Sequence, residues 1–190
     1  MLLTLAVALA YASTNFDNLA LMLALAPALG IARPAFAFVT TQVLVIGLAL
    51  AIGAALDSLP EEWLGLLGLI PMGIGLSELW RMWRARGRVS SEPPPARKTG
   101  LLALLVTFAG LSADSFALTT AFLADSAPDF DFEVVLGAVI ALAVISLAGV
   151  LAARVALKAE ALVLKLTRIT PFIMIASGLY ILLPTVTDVV

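Results

Sequence analysis

The sequence predicts an all-α integral membrane protein with six transmembrane helices, built as a three-plus-three inverted-topology repeat. Three observations lead there. Of the 190 residues, 62% are hydrophobic and 13% charged, with a mean hydropathy of +1.11. A soluble domain carries about 25% charged residues, and so few charges leave a soluble surface of this size uncovered. Apolar stretches of bilayer-spanning length recur six times, and all 11 basic residues sort to one side of the resulting arrangement.

A span needs about 20 mostly apolar residues. The six candidates are 3–26, 36–56, 63–83, 100–123, 133–154 and 164–184. Ala10-Tyr11-Ala12 looks like a signal-peptide cleavage site. No Lys or Arg precedes that apolar run, however, and the run continues past the site, so the first segment is expected to stay as a span. Pro27, Gly30 and Pro34 separate the first two spans, and Asp57, Ser58 and Pro60 the next two. The polar segment RARGRVSSEPPPARKTG (84–100) contains three consecutive prolines, which cannot be helix interior. Ser126, Pro128 and Asp129 follow the fourth span. Pro71 and Pro171 are expected to kink spans three and six.

The charges orient these spans. Arg33 falls in the first loop. Arg81, Arg84, Arg86, Arg88, Arg97 and Lys98 surround the central linker, and Arg154, Lys158, Lys165 and Arg168 the last loop. Asp57, Glu61, Glu62, Asp125, Asp129, Asp131, Glu133 and Asp188 fall on the opposite side. By the positive-inside rule the linker is cytoplasmic and both termini lie outside the cell (inner) membrane. Trp63 at one end of span three, with Trp80 and Trp83 at the other, fits interfacial aromatic belts. The chain thus divides into a first three-helix repeat (1–84), a basic, Pro-rich linker (85–99) and a second repeat (100–190), together one transport domain.

The repeat is visible in the residues. NFDNLALMLALA (15–26) has a counterpart in SADSFALTTAFLA (112–124). Asp17 matches Asp114, 97 positions later, and Asn18 matches Ser115. LIPMGIGL (69–76) weakly matches ITPFIMIASGL (169–179). An odd number of spans per unit inserts the second copy upside down, an arrangement common in secondary transporters, which bind substrate near the midplane at the repeat interface. Asp17 lies about 21 Å from the outer end of its span, and Asp114 a similar depth from the inner end of its own. A two-fold axis in the membrane plane brings the two acids together.

An Asp at a helix centre costs about 2.5–3.5 kcal/mol on insertion scales, so two at matching positions call for a purpose. Their neighbours are oxygen donors: Asn15 and Asn18 in the first copy, Ser112 and Ser115 in the second. Carboxylates with amide, hydroxyl and carbonyl oxygens make a site for a hard cation. Gly110 offers a place for backbone to turn a carbonyl inward. Thr14, Gln42, Glu78 and Thr119 are candidates for the pathway. Gln42, with Thr40 and Thr41, begins span two at its inner mouth, and its amide needs a partner. Glu78, three residues before Arg81, can reach that Arg or water, which favours an interfacial place over a coordinating one. Met22 and Met72 are expected to pack. The competing reading of the Asn and Ser residues is hydrogen-bonded glue between helices.

There is no Cys and no His. That excludes disulfides, thiolate or imidazole metal sites and serine-triad chemistry. An intramembrane aspartyl protease also needs two Asp on two spans, but such enzymes resemble one another in a Gly-x-Gly-Asp motif. Asp114 follows Leu-Ser-Ala, and the acids sit on a repeat. The chain is therefore not expected to be an enzyme. A non-transporting assembly factor is a third alternative, in which both acids are dispensable.

ASTNFDNLALML (12–23) resembles the motif that opens the CadD-type cadmium-resistance transporters of the LysE superfamily, and LLGLIPMGIGL (66–76) resembles their third span. SADSFALTTA (112–121) is more similar to the Asp motif of the manganese-efflux branch. The resemblance implies efflux of a divalent metal cation, with Asp17 and Asp114 at the ion site and Asn15, Asn18, Ser112 and Ser115 beside them. Asn18 stands where CadD-type proteins carry a second acid, and they often carry cysteines. The oxygen-only donor set favours Mn(II) over soft Cd(II). No cofactor is expected beyond the metal ion as substrate. The expected partners are that cation, protons in antiport and the lipid bilayer; no nucleic acid is expected, and a homodimer fits the lipid-facing surface of six short spans. The alternative function is export of an amino acid or other small solute, as elsewhere in the superfamily. No Lys or Arg lies inside a span away from its cytoplasmic end, where it could bind a substrate carboxylate.

Overall fold

The computed structural model describes residues 1–56, 65–84, 100–155 and 168–183. The linker 85–99 lies outside them, as do Asp57, Glu61, Glu62, Trp63, Arg86, Arg88, Arg97, Lys98, Lys158, Lys165 and Asp188 from the charge pattern. Among the described residues every regular element is helical: α1 (Leu2–Thr14), α2 (Phe16–Leu29), α3 (Ala32–Leu56), α4 (Leu69–Arg84), α5 (Leu101–Leu111), α6 (Ala113–Asp125), α7 (Asp131–Val155) and α8 (Thr170–Leu182). Single 3-10 turns, Gly65–Gly68 and Pro128–Phe130, precede α4 and α7.

The outer surface is apolar. Leu5, Leu9, Val43, Leu44, Leu48, Val144, Leu147 and Leu151 are exposed on α1, α3 and α7. A helix that is hydrophobic all round is one surrounded by protein and lipid rather than water. By length and composition α3 and the segment containing α7 are long enough to cross a bilayer, and α5 with α6 makes a third if taken as one bent span. At the end of α4, Trp80 and Trp83 are exposed, and the Arg84 guanidinium lies 3.9 Å above the Trp80 ring. Amphipathic aromatic and basic side chains of this kind favour the headgroup level.

Two expected continuous spans are broken. α1 gives way to α2 at Asn15 (φ −101°, ψ 7°) and α5 to α6 at Ser112 (φ −102°, ψ 9°). The breaks are 97 positions apart and share their hydrogen bonds. Asn15 N–H donates to Ala12 O and Ser112 N–H to Ala109 O, both at 3.2 Å; Leu19 N–H donates to Asn15 O and Phe116 N–H to Ser112 O, both at 2.9 Å. At the second break the helices bend by 54°. Gly110, expected to turn the backbone, is exposed two residues before the break. The polar side chains cause the interruption instead. Ser13 Oγ, Thr14 Oγ1 and Asn15 Nδ2 donate to the carbonyls of Ala10, Tyr11 and Tyr11, and Ser112 Oγ donates to Phe108 O. Side chains that take carbonyls three or four residues back compete with the helix ladder.

Pro71 and Pro171 do not kink helix interiors. Each stands in the first turn of its helix, α4 and α8, where a missing N–H costs nothing. Gly30 closes α2 at φ 72°, a left-handed conformation that a residue with a Cβ rarely adopts.

Each long helix packs against the broken helix of the other half. On α3, Phe38, Gln42 and Gly53 lie beside Phe108, Ser112 and Leu123. Each pair is 70 positions apart, so α3 runs alongside α5 and α6 in the same direction. On α7, Glu133 binds the Met1 amino group at 2.6 Å, Gly137 faces Thr4 and Val7, and Gly149 faces Leu19 and Met22. That helix therefore runs with α1 and α2. Between the halves α4 and α8 run in opposite directions, Gly68 against Gly178 and Gly75 against Pro171. Small residues at these crossings let the backbones approach closely, which is how helices associate without a hydrophobic drive in lipid.

Candidate functional site

The two helix breaks meet. Thr14, Asn15, Asn18, Gln42, Ser112 and Ser115 are all buried, and their side chains form one hydrogen-bonded cluster. Thr14 Oγ1 lies 2.8 Å from Ser115 Oγ. Asn15 Nδ2 donates to Ser115 Oγ at 3.1 Å, and Asn18 Nδ2 donates to Asn15 Oδ1 at 3.0 Å. Gln42 Nε2 donates to Asn15 Oδ1 at 2.6 Å and to Ser112 Oγ at 2.8 Å. Side-chain bonds of this cluster from the first half to the second thus run through Thr14, Asn15, Asn18 and Gln42. Gln42, expected at the inner mouth, stands inside the cluster.

Asp17 and Asp114 flank it, each in the first turn of a half-helix, α2 and α6. Helix N-termini present N–H groups to negative charge, and Asp114 Oδ1 accepts the N–H of Ser115 at 2.8 Å. Asp17 is exposed and Asp114 half-buried. Their charges act on each other, and Glu78, half-buried on α4, is within electrostatic reach of both as well as of Arg81. Thr119 is buried, but its hydroxyl donates within its own helix to Ser115 O and does not join the cluster.

Among the described residues no three His, Cys, Asp or Glu side chains converge to hold a metal by themselves. Any cation here would need amide, hydroxyl or carbonyl oxygens as well. One such oxygen stands ready. Asn18 is fully buried and its Oδ1 has no hydrogen-bond partner. Buried polar atoms are nearly always paired, so an orphan acceptor inside a polar cluster marks a place for a donor or a cation.

Two participants were not evident from the sequence. The Tyr11 hydroxyl donates to Gln42 Oε1 at 2.7 Å, and Thr170 Oγ1 on α8 donates to Ser13 O at 2.8 Å, beside the first break. Tyr11 sits in an apolar run with no local partner, and Gln42 lies 31 positions away. No sequence pattern signals the contact.

Asn15 is the junction of the cluster, since its Oδ1 accepts from both Gln42 and Asn18. Replacing it with Ala leaves two buried amides short of an acceptor. Asn15→Ala is expected to destabilise the fold by about 1–2 kcal/mol, read as a lowered thermal transition in detergent. No known protein family, curated protein or solved structure matches the chain.

Proposed function

We propose that the chain is a small secondary transporter that exports a divalent cation, with six spans forming two inverted three-helix halves. The observation that carries this reading is the pair of matched helix breaks. They put an acid from each half beside a shared cluster of oxygen donors, including an unpartnered buried amide oxygen. Discontinuous helices at a repeat interface are where such transporters bind substrate. The inverted arrangement is supported by the pairing of α3 with α5–α6, of α7 with α1–α2, and of antiparallel α4 with α8. It would place Met1 and Glu133 together on the outer face.

In this mechanism the cation sheds part of its hydration shell between Asp17 and Asp114. Rocking of one half against the other exposes it to each side in turn. Close acids repel when the site is empty, so a proton taken up there and displaced by the next ion would couple export to proton antiport. The oxygen-only donors favour Mn(II) over Cd(II). A second reading, amino-acid export, draws on the same interior helix N-termini, which can bind a carboxylate. Here both N-termini carry their own acid in the first turn, which opposes a second anion.

The test is flux into proteoliposomes for Mn(II), Cd(II), Ca(II) and a panel of amino acids, with and without a pH gradient. The reading expects Mn(II) flux that responds to the gradient and exceeds Cd(II) flux. Amino-acid flux with no metal flux from folded protein would select the alternative.

A further inference from the structure

The buried cluster has a polarity that begins at Tyr11. A phenol hydroxyl donates to Gln42 Oε1, which fixes the Gln42 amide so that its Nε2 faces Asn15 Oδ1 and Ser112 Oγ. Asn15 Oδ1, already accepting from Gln42, also accepts from Asn18 Nδ2, while Asn15 Nδ2 turns to Tyr11 O and Ser115 Oγ. Asn18 Nδ2 has Ser112 Oγ as a second acceptor at 3.5 Å. An amide can sit either way round, and its neighbours decide which end is the oxygen. Here three amides are set in sequence, and the last oxygen, Asn18 Oδ1, is left buried with nothing to accept. The second half offers no copy of this chain of bonds, because α7 has Ser146 as its one polar side chain between Glu133 and Arg154 and has no amide.

We propose that Tyr11 and Gln42 are positioning residues that hold the Asn18 carboxamide with its oxygen presented as a ligand for the transported cation. This rests on the transport reading above and adds to it a specific ligand atom and the device that orients it. An amide oxygen contributes no charge, so the site binds the ion with the carboxylates of Asp17 and Asp114 and releases it more readily than a third close carboxylate would. Without the Tyr11 hydroxyl Gln42 Oε1 loses its donor, the Gln42 amide that braces Asn15 Oδ1 is held at its Nε2 end alone, and the acceptor that holds Asn18 Nδ2 is less firmly placed.

The experiment is equilibrium titration of purified full-length protein in detergent with Mn(II), followed by calorimetry, with thermal unfolding measured on the same samples. Tyr11→Phe and Gln42→Leu are each expected to weaken Mn(II) binding by about ten- to a hundredfold, the range for partners that orient metal ligands. The double variant is expected to be no worse than the worse single, since both act through one chain of bonds. The discriminating background is Asn18→Asp. A carboxylate has an oxygen at either end and needs no orienting, so Tyr11→Phe should cost no Mn(II) affinity there. A merely structural Tyr11 would cost the same factor in both backgrounds, and that result overturns the proposal, as does unchanged affinity in folded Tyr11→Phe. If the wild type binds Mn(II) and Asp17→Asn abolishes binding while Tyr11→Phe has no effect, only this inference fails. If the folded wild type binds no Mn(II), Cd(II) or Ca(II), the transport reading fails with it.

Discussion

Asp17→Asn and Asp114→Asn are each expected to reduce Mn(II) flux by more than about a hundredfold, beyond the range seen for groups that only orient ligands. The substitution keeps the size of the side chain and removes its charge. Both acids stand beside one cluster, so neither can substitute for the other, and the double variant should be no worse than either single. The same changes are not expected to weaken the fold. Each acid stands in the first turn of a half-helix, where an Asn oxygen can still accept a first-turn N–H as Asp114 Oδ1 does, and the neutral side chain removes the mutual repulsion of the acids. Thermal transitions in detergent should be equal to wild type or higher. Lost flux with a lowered transition would instead place these acids in the framework.

The second large effect concerns the crossing of α4 and α8. A Cβ added at Gly178 would lie 2.5 Å from Gly68 O, 2.7 Å from Met72 N and 2.8 Å from Met72 Cβ. Two of these are backbone atoms, which cannot rotate away. Gly178→Ala is expected to destabilise by about 1–3 kcal/mol, the usual cost of overpacking, and Gly68→Ala by a similar amount. Gly73→Ala on α4 is the control. Nothing lies within 4 Å of its added Cβ, so the better helix former should be neutral or stabilising by up to about 1 kcal/mol. The measurement is thermal or denaturant unfolding in one detergent. Equal behaviour of Gly178→Ala and Gly73→Ala would show that the crossing tolerates separation.

The sequence made the polar half of the site legible and left its architecture hidden. Asn15, Asn18, Ser112 and Ser115 stood out because polar residues in apolar runs are costly, and the structure brings all four together. The helix breaks are absent from the expected spans, although their cause lies in the sequence: Ser13, Thr14 and Asn15 in succession, and Ser112, are side chains that compete for backbone carbonyls. Gly110, the residue that sequence marks for a backbone turn, stands two residues before the break. Pro71 and Pro171 look like kinks in sequence because uniformly apolar residues do not mark the helix starts just before them. Tyr11 is illegible for a different reason. A Tyr in an apolar run reads as packing, and its role depends on a contact between α1 and α3 that no local periodicity encodes. Glu78 looked interfacial from its spacing to Arg81, and its reach toward Asp17 and Asp114 comes from the packing of α4 against the site.

The central claim is that one divalent cation is held between acids supplied by the two halves of the chain. The measurement that bears on it most directly is the stoichiometry of Mn(II) binding to the purified protein by isothermal titration. The account predicts one Mn(II) per chain for wild type and none for Asp17→Asn or Asp114→Asn, with all three folded. One ion retained by either variant with wild-type affinity, or two independent ions lost one at a time, would contradict a shared site.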